Sequence, residues 1–115
     1  MAVLYGIKNC DTVKKARRWL DDHGVAYRFH DFRSDGLDDQ RLARWTKQVG
    51  WESLLNRRGT TWRGMSEAQR NKVADEASAV IAMLTHPALI KRPVLEINGK
   101  VHVGFKADEY ASLLN

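Results

Sequence analysis

The 115-residue sequence predicts an α/β fold that carries a helical insertion, on three observations. The chain opens with a short apolar run, a helical pattern and an alternating run, which is a β-α-β order. Its C-terminal part reads as strand, Asn98-Gly99 turn, strand and helix. Between these parts the apolar spacing stays at the helical period and never settles at the strand period of two.

Val3-Leu4-Tyr5-Gly6-Ile7 has the continuous apolar character of a covered strand. Lys8 and Asn9 break the run before Cys10. Asp11 to His23 then place Val13, Ala16 and Leu20 on one helical face, and Gly24 closes the helix as its C′ residue. Val25 to Phe32 alternate as a second strand, with Val25, Tyr27 and Phe29 on one side. Ser34-Asp35-Gly36 turns the chain. Asp38 caps a helix whose Leu42 is stapled by Leu37; its apolar face is Leu42, Trp45 and Val49, and Gly50 ends it. A short helix over Trp51 to Leu55 leads into a polar, basic loop, Asn56 to Gly64.

Ser66 and Gln69 form a capping box. Ala77, Val80, Ile81 and Leu84 mark a further helix, which His86-Pro87 stops. Val94 to Ile97 is a strand joined by Asn98-Gly99, a type I′ signal, to a partner with Val101, Val103 and Phe105 on one face. Asp108 is expected to cap a terminal helix carrying Tyr110, Leu113 and Leu114. Without the middle helices the order is βαβ followed by ββα, with Cys10 at the first helix and Pro93 directly before the third strand. That combination predicts a thioredoxin-like fold with an α-helical insertion. The expectation is a single domain, with 1–32 and 86–115 as the core and 33–85 as the insertion.

A hydrophobic content of 43% allows one real core. No apolar run approaches the roughly 20 residues of a membrane span, and the start lacks the pattern of a signal peptide. One cysteine excludes an internal disulfide and a multi-thiolate zinc site, so a reducing compartment, the cytoplasm, is expected. The net charge is +5, from 19 Lys and Arg against 14 Asp and Glu. Acidic residues are interspersed and no nucleic-acid-binding signature accompanies the basic ones. Anionic small molecules therefore suit the charge better than nucleic acid does, and a solvated helix face accounts for Arg17 and Arg18.

Cys10 sits where a strand meets a helix, so unpaired backbone N–H groups point towards it. An ordinary thiol with a pKa of about 8.5 is only about 3% thiolate at pH 7. A helix N-terminus favours an anion by about 0.3–1 kcal/mol, less than one pKa unit. Reactivity therefore needs a further cation, while Asp11 works against it. The alternative is an inert cysteine packed as a small hydrophobe. His86 reads as a helix end, and His23, His30 and His102 show no ligand spacing. The tryptophans read as packing residues.

The ordered set Tyr5-Gly6-Ile7-Lys8-Asn9-Cys10-Asp11-Thr12, Leu54-Leu55-Asn56-Arg57-Arg58-Gly59, His86-Pro87 and Ile90-Lys91-Arg92-Pro93 resembles the arsenate reductase (ArsC)/Spx-like family. It is most similar to the YffB-type subgroup of glutathione-dependent thiol reductases, and the match spans the chain. The resemblance implies Cys10 as nucleophile and a substrate or glutathione set of Lys8, Thr12, Arg58, Arg92 and Pro93. Arg92 then holds oxyanions beside the thiol, Arg58 rather than Arg57 supplies the loop arginine, and a cis Arg92–Pro93 bond lies near Cys10.

Two departures stand out. Arsenate-reducing members carry Cys-Gly-Thr-Ser-Arg, whereas this chain has Cys10-Asp11-Thr12-Val13-Lys14. A third family arginine falls near Gly104, where none is present. One fewer cation and one added anion weaken a site for a charged oxyanion. Spx-type regulators carry a C-x-x-C switch whose second position is Val13 here, so no such disulfide can form. The resemblance thus implies a monothiol oxidoreductase with no bound cofactor and glutathione as co-substrate. Its other substrate is a small-molecule or protein disulfide. A regulatory protein docking on the transcription machinery and an arsenate reductase are the alternatives.

Overall fold

The computed structural model describes residues 2–114. The elements in chain order are β1 (Ala2–Gly6), α1 (Asp11–Asp22), β2 (Tyr27–Asp31), α2 (Asp39–Val49), α3 (Trp51–Leu54), α4 (Thr60–Arg63), α5 (Glu67–Asn71) and α6 (Glu76–Thr85). A 3₁₀ turn at Pro87–Leu89 follows, then β3 (Val94–Ile97), β4 (Lys100–Val103) and α7 (Ala107–Leu114). The chain divides into two compact units, Met1–Asp35 with Arg92–Asn115, and Gly36–Lys91.

The first unit holds a four-stranded sheet of order β2-β1-β3-β4. β1 runs parallel to β2 and antiparallel to β3, and β4 is antiparallel to β3. This βαβ-then-ββα arrangement is thioredoxin-like. The crossover from β1 to β2 needs a helix, and α1 supplies one whose Val13, Ala16 and Leu20 are buried, as their spacing requires. Leu4, Leu95, Ala16, Leu20 and Tyr110 form the core, with Trp19, Phe29 and Leu113 packed against it. Full burial of one such aliphatic side chain is worth about 1.5–3 kcal/mol. At the hairpin, Asn98 and Gly99 take φ of 53° and 75°, the left-handed pair that a type I′ turn demands.

In the second unit α2, α3 and α6 pack together over buried Leu42, Trp45, Leu54, Leu55 and Met83. Asp38 caps α2 by accepting from the Arg41 N–H at 2.6 Å. The Ser66–Gln69 capping box is closed from both sides.

Several local expectations are corrected. The Asn56–Gly64 loop contains a helical turn, α4, closed by Arg63 N–H to Gly59 O and Gly64 N–H to Thr60 O. Its polar sequence has no apolar period to reveal it. In α6 the buried residues are Ala79 and Met83, and Ile81 is 65% exposed. That helix is apolar on nearly every side, so spacing alone could not choose its inner face. α7 begins at Ala107, which puts Asp108 inside the first turn instead of at the cap. Residues 87–91 are tied into the second unit by Asn56 N–H to Leu89 O (2.7 Å), Lys91 N–H to Leu54 O (2.8 Å) and the Leu55–Ile90 bridge. These are backbone bonds without a side-chain signature, so the sequence boundary at residue 86 falls at 92 in the structure. Among the described residues, no helix is long and apolar enough to cross a membrane.

Gly6 is where β1 and α1 come closest. A Cβ built there would lie 2.7 Å from Cγ2 of Val13, a β-branched side chain with no exposed surface. Val13 has no room to rotate away. Gly6→Ala should therefore destabilise the protein by about 1–3 kcal/mol. In urea unfolding this appears as a lower midpoint at unchanged slope. An unaltered midpoint would show that the helix can shift to make room.

Candidate functional site

The sheet register brings three chain segments to one edge. β1 ends at Gly6, level with Asp31 at the end of parallel β2. β3 runs the other way and starts at Val94, opposite Tyr5. The residues after β1, leading to Cys10, and those before β3, Arg92 and Pro93, consequently leave the sheet at the same end. The Arg92–Pro93 peptide bond is cis.

Cys10 is the N-cap of α1, with extended backbone (φ −116°, ψ 124°), and its carbonyl accepts the Lys14 N–H at 2.9 Å. Its thiol is half-buried. Burial alone pushes the thiol up, because an anion loses solvation there. The Val13 N–H, the Arg92 guanidinium as donor and as positive charge, and the Thr12 N–H together outweigh burial, leaving the thiol below its ordinary value.

The segment entering Cys10 is itself held. The Lys8 N–H donates to Asp31 Oδ2 at 3.1 Å, while Asp31 Oδ1 accepts from Arg33 N–H at 2.7 Å. Asp31 is buried, and its carboxyl lies below the usual carboxylate range. Burial pushes that carboxyl up, but the amides of Arg33, Lys8 and Ser34 and the Lys8 charge outweigh it.

Of the residues singled out from sequence, Cys10, Lys8, Thr12, Arg92 and Pro93 lie in the first unit and Arg58 in the second. Lys8 and Thr12 are exposed, Arg92 is half-buried and Pro93 is buried. Arg57 sits over the Trp51 ring at 5.6 Å. The Arg58 amide bonds to Asn56 Oδ1, and among the described residues its guanidinium has no ion pair or ring contact. Sequence reasoning passed over Asp31. The signal was present, because Asp31 continues the Val25-Tyr27-Phe29 alternation and puts a carboxylate on the inward face. Among the described residues, no group of three or more His, Cys, Asp or Glu side chains could share a metal ion.

Arg92→Ala should raise the pH midpoint of Cys10 alkylation. A loss of one pKa unit corresponds to about a tenfold fall in rate at neutral pH. Far-ultraviolet circular dichroism should stay unchanged. An identical pH profile in the variant would remove Arg92 from the thiol's environment.

Comparison with known proteins gives the family and the fold. An uncharacterized protein of Haemophilus influenzae is 46% identical over 110 residues, covering 96% of each chain. The global transcriptional regulator Spx of Lactiplantibacillus plantarum is 23% identical over 117 residues, covering 99% of this chain and 86% of the regulator. The solved structure of the YffB (PA3664) protein is 55% identical, covers all of both chains and superposes with a TM-score of 0.95. The ArsC family matches residues 5–113, nearly the whole length, and the chain belongs to it.

Proposed function

We propose that this protein is a glutathione-dependent thiol/disulfide reductase in which Cys10 is the single nucleophile. The observation that carries the reading is the half-buried Cys10 thiol at the start of α1, drawn below its ordinary pKa by the helix amides and Arg92. Membership of the ArsC family supports thiol chemistry at this position.

The Cys10 thiolate attacks one sulfur of a substrate disulfide. A Cys10–sulfur bond forms, the substrate S–S bond breaks, and the departing thiolate takes a proton from solvent. The chain has no second cysteine, so an outside thiol must complete the cycle. Glutathione thiolate attacks the substrate sulfur of the mixed disulfide and leaves bonded to it, returning Cys10 as thiolate. A second glutathione thiolate then displaces the substrate sulfur from that bond, so the substrate disulfide becomes two thiols and two glutathiones become one glutathione disulfide. Glutathione carries two carboxylates, and Arg92 and Lys8 of the first unit are the cations proposed to pair with them; Arg58 is a further cation that only the family resemblance implies. Thr12 contributes its N–H to the thiolate, and Pro93 forms the wall of the cleft. A reducing cytoplasm would supply the glutathione.

Arsenate is a poorer fit. Asp11 puts an anion directly after Cys10 in sequence, and Gly104, near the place of the third family arginine, has a φ of +86° that an arginine would adopt only with strain. A regulatory role by docking is the second reading, favoured by the similarity to Spx. In that case Cys10 is incidental.

Incubation with oxidised glutathione, followed by mass spectrometry of the intact protein, separates these readings. The reductase reading predicts one glutathione adduct on Cys10, absent from Cys10→Ser and released by reduced glutathione. A chain that takes no adduct while its thiol stays titratable would point to the docking role.

A further inference from the structure

We propose that Asp31 is a positioning residue for Cys10, fixing the Ile7–Asn9 turn through the Lys8 amide; this rests on the reading of Cys10 as the nucleophile. Asp31 is 5% exposed, and a carboxylate is retained there only if its oxygens are satisfied. Each oxygen has a separate task. Oδ1 accepts from Arg33 N–H at 2.7 Å and Ser34 N–H at 3.4 Å, closing the turn that follows β2. Oδ2 accepts from Lys8 N–H at 3.1 Å, a bond spanning 23 residues that reaches the segment feeding α1.

The local turn alone would not require burial. Asp35 already braces it, accepting the Asp31 N–H at 2.9 Å while its own N–H donates to Asp31 O at 2.8 Å. The long-range bond is what a buried, acceptor-only group adds. Backbone Lys8 stands two residues before Cys10, and Phe32 N–H to Gly6 O (2.9 Å) pins the preceding residue pair. With both anchors in place, the sulfur is presented to the Val13 and Thr12 amides and to Arg92 in one arrangement. Asp31→Asn keeps the shape but leaves one oxygen, so an amide NH₂ must face either Lys8 or the Arg33–Ser34 pair.

Charge and positioning predict opposite outcomes, which makes the test decisive. Removing a negative charge from this unit favours the thiolate and lowers its midpoint, whereas losing the anchor loosens its donors and raises it. Arg92, which acts on the sulfur, and Lys8 and Asp11, which flank Cys10 in sequence, are unchanged in the variant.

The experiment measures Cys10 alkylation against pH for the full chain, Asp31→Asn and Asp35→Ala, with amide exchange by NMR. For Asp31→Asn we expect a raised midpoint, a fall of roughly threefold or more in rate at neutral pH, and faster exchange at Lys8 than in β1 and β2. Asp35→Ala should keep the midpoint of the unmodified chain. A midpoint for Asp31→Asn that is unchanged or lowered overturns the inference, as does an equal rise in Asp35→Ala. Should Asp31→Asn fail to fold, the unmodified chain still decides: its Lys8 amide must be protected like a sheet amide, and rapid exchange there overturns the anchor. An ordinary thiol midpoint in the unmodified chain defeats the reductase reading itself, whatever the variants do.

Discussion

A thiolate that is half out of water exists only where fixed donors replace the solvent it has lost. At Cys10 burial is the largest influence, and it opposes the anion. One helix end is worth about 0.3–1 kcal/mol to a negative charge, against about 1.4 kcal/mol for each pKa unit. The end of α1 is therefore too weak to carry the balance alone. Arg92, acting through both a hydrogen bond and its charge, adds the second contribution and brings the thiol below its ordinary value. Asp11, in the first turn of α1, is exposed to solvent.

This arrangement depends on backbone register more than on side-chain choice. Parallel pairing sets Gly6 beside Asp31, and antiparallel pairing sets Tyr5 beside Val94. Cys10 and Arg92 are 82 residues apart in number, yet each lies just outside a strand that ends at the same sheet edge. The missing side chain at Gly6 lets Val13 pack against β1, which draws the start of α1 down onto the sheet. A larger residue there would displace the helix amides that face the sulfur.

Much of this can be read from sequence because the periodicities are clean where the core is. Val13, Ala16 and Leu20 are buried as spaced, Asn98-Gly99 makes the hairpin, and Ser66 with Gln69 makes its reciprocal cap. Cys10 stands out because a lone cysteine at a strand-to-helix junction is chemically pointed. Pro93 stands out by its place directly before the third strand, whereas the role of Arg92 emerges through the family resemblance, since an arginine before a strand proline is an ordinary pair. What escaped is what backbone bonds decide. The helical turn at Thr60–Arg63 has no apolar signature, Ile81 lies on an outer face of a helix that is apolar on most sides, and Lys91 binds Leu54 through main-chain atoms alone. Asp31 escaped because an acidic residue closing an alternating strand reads as solvated, whereas here it is enclosed by three amides.

The state of the Cys10 sulfur is the point on which everything else turns. It is most directly measured by the ultraviolet absorbance of the thiolate as a function of pH, with Cys10→Ser as the blank. The single cysteine makes that signal unambiguous. The account predicts a midpoint clearly below the value of about 8.5 for an ordinary thiol. A midpoint at or above that value would contradict it, and would leave Cys10 as a packed, unreactive side chain.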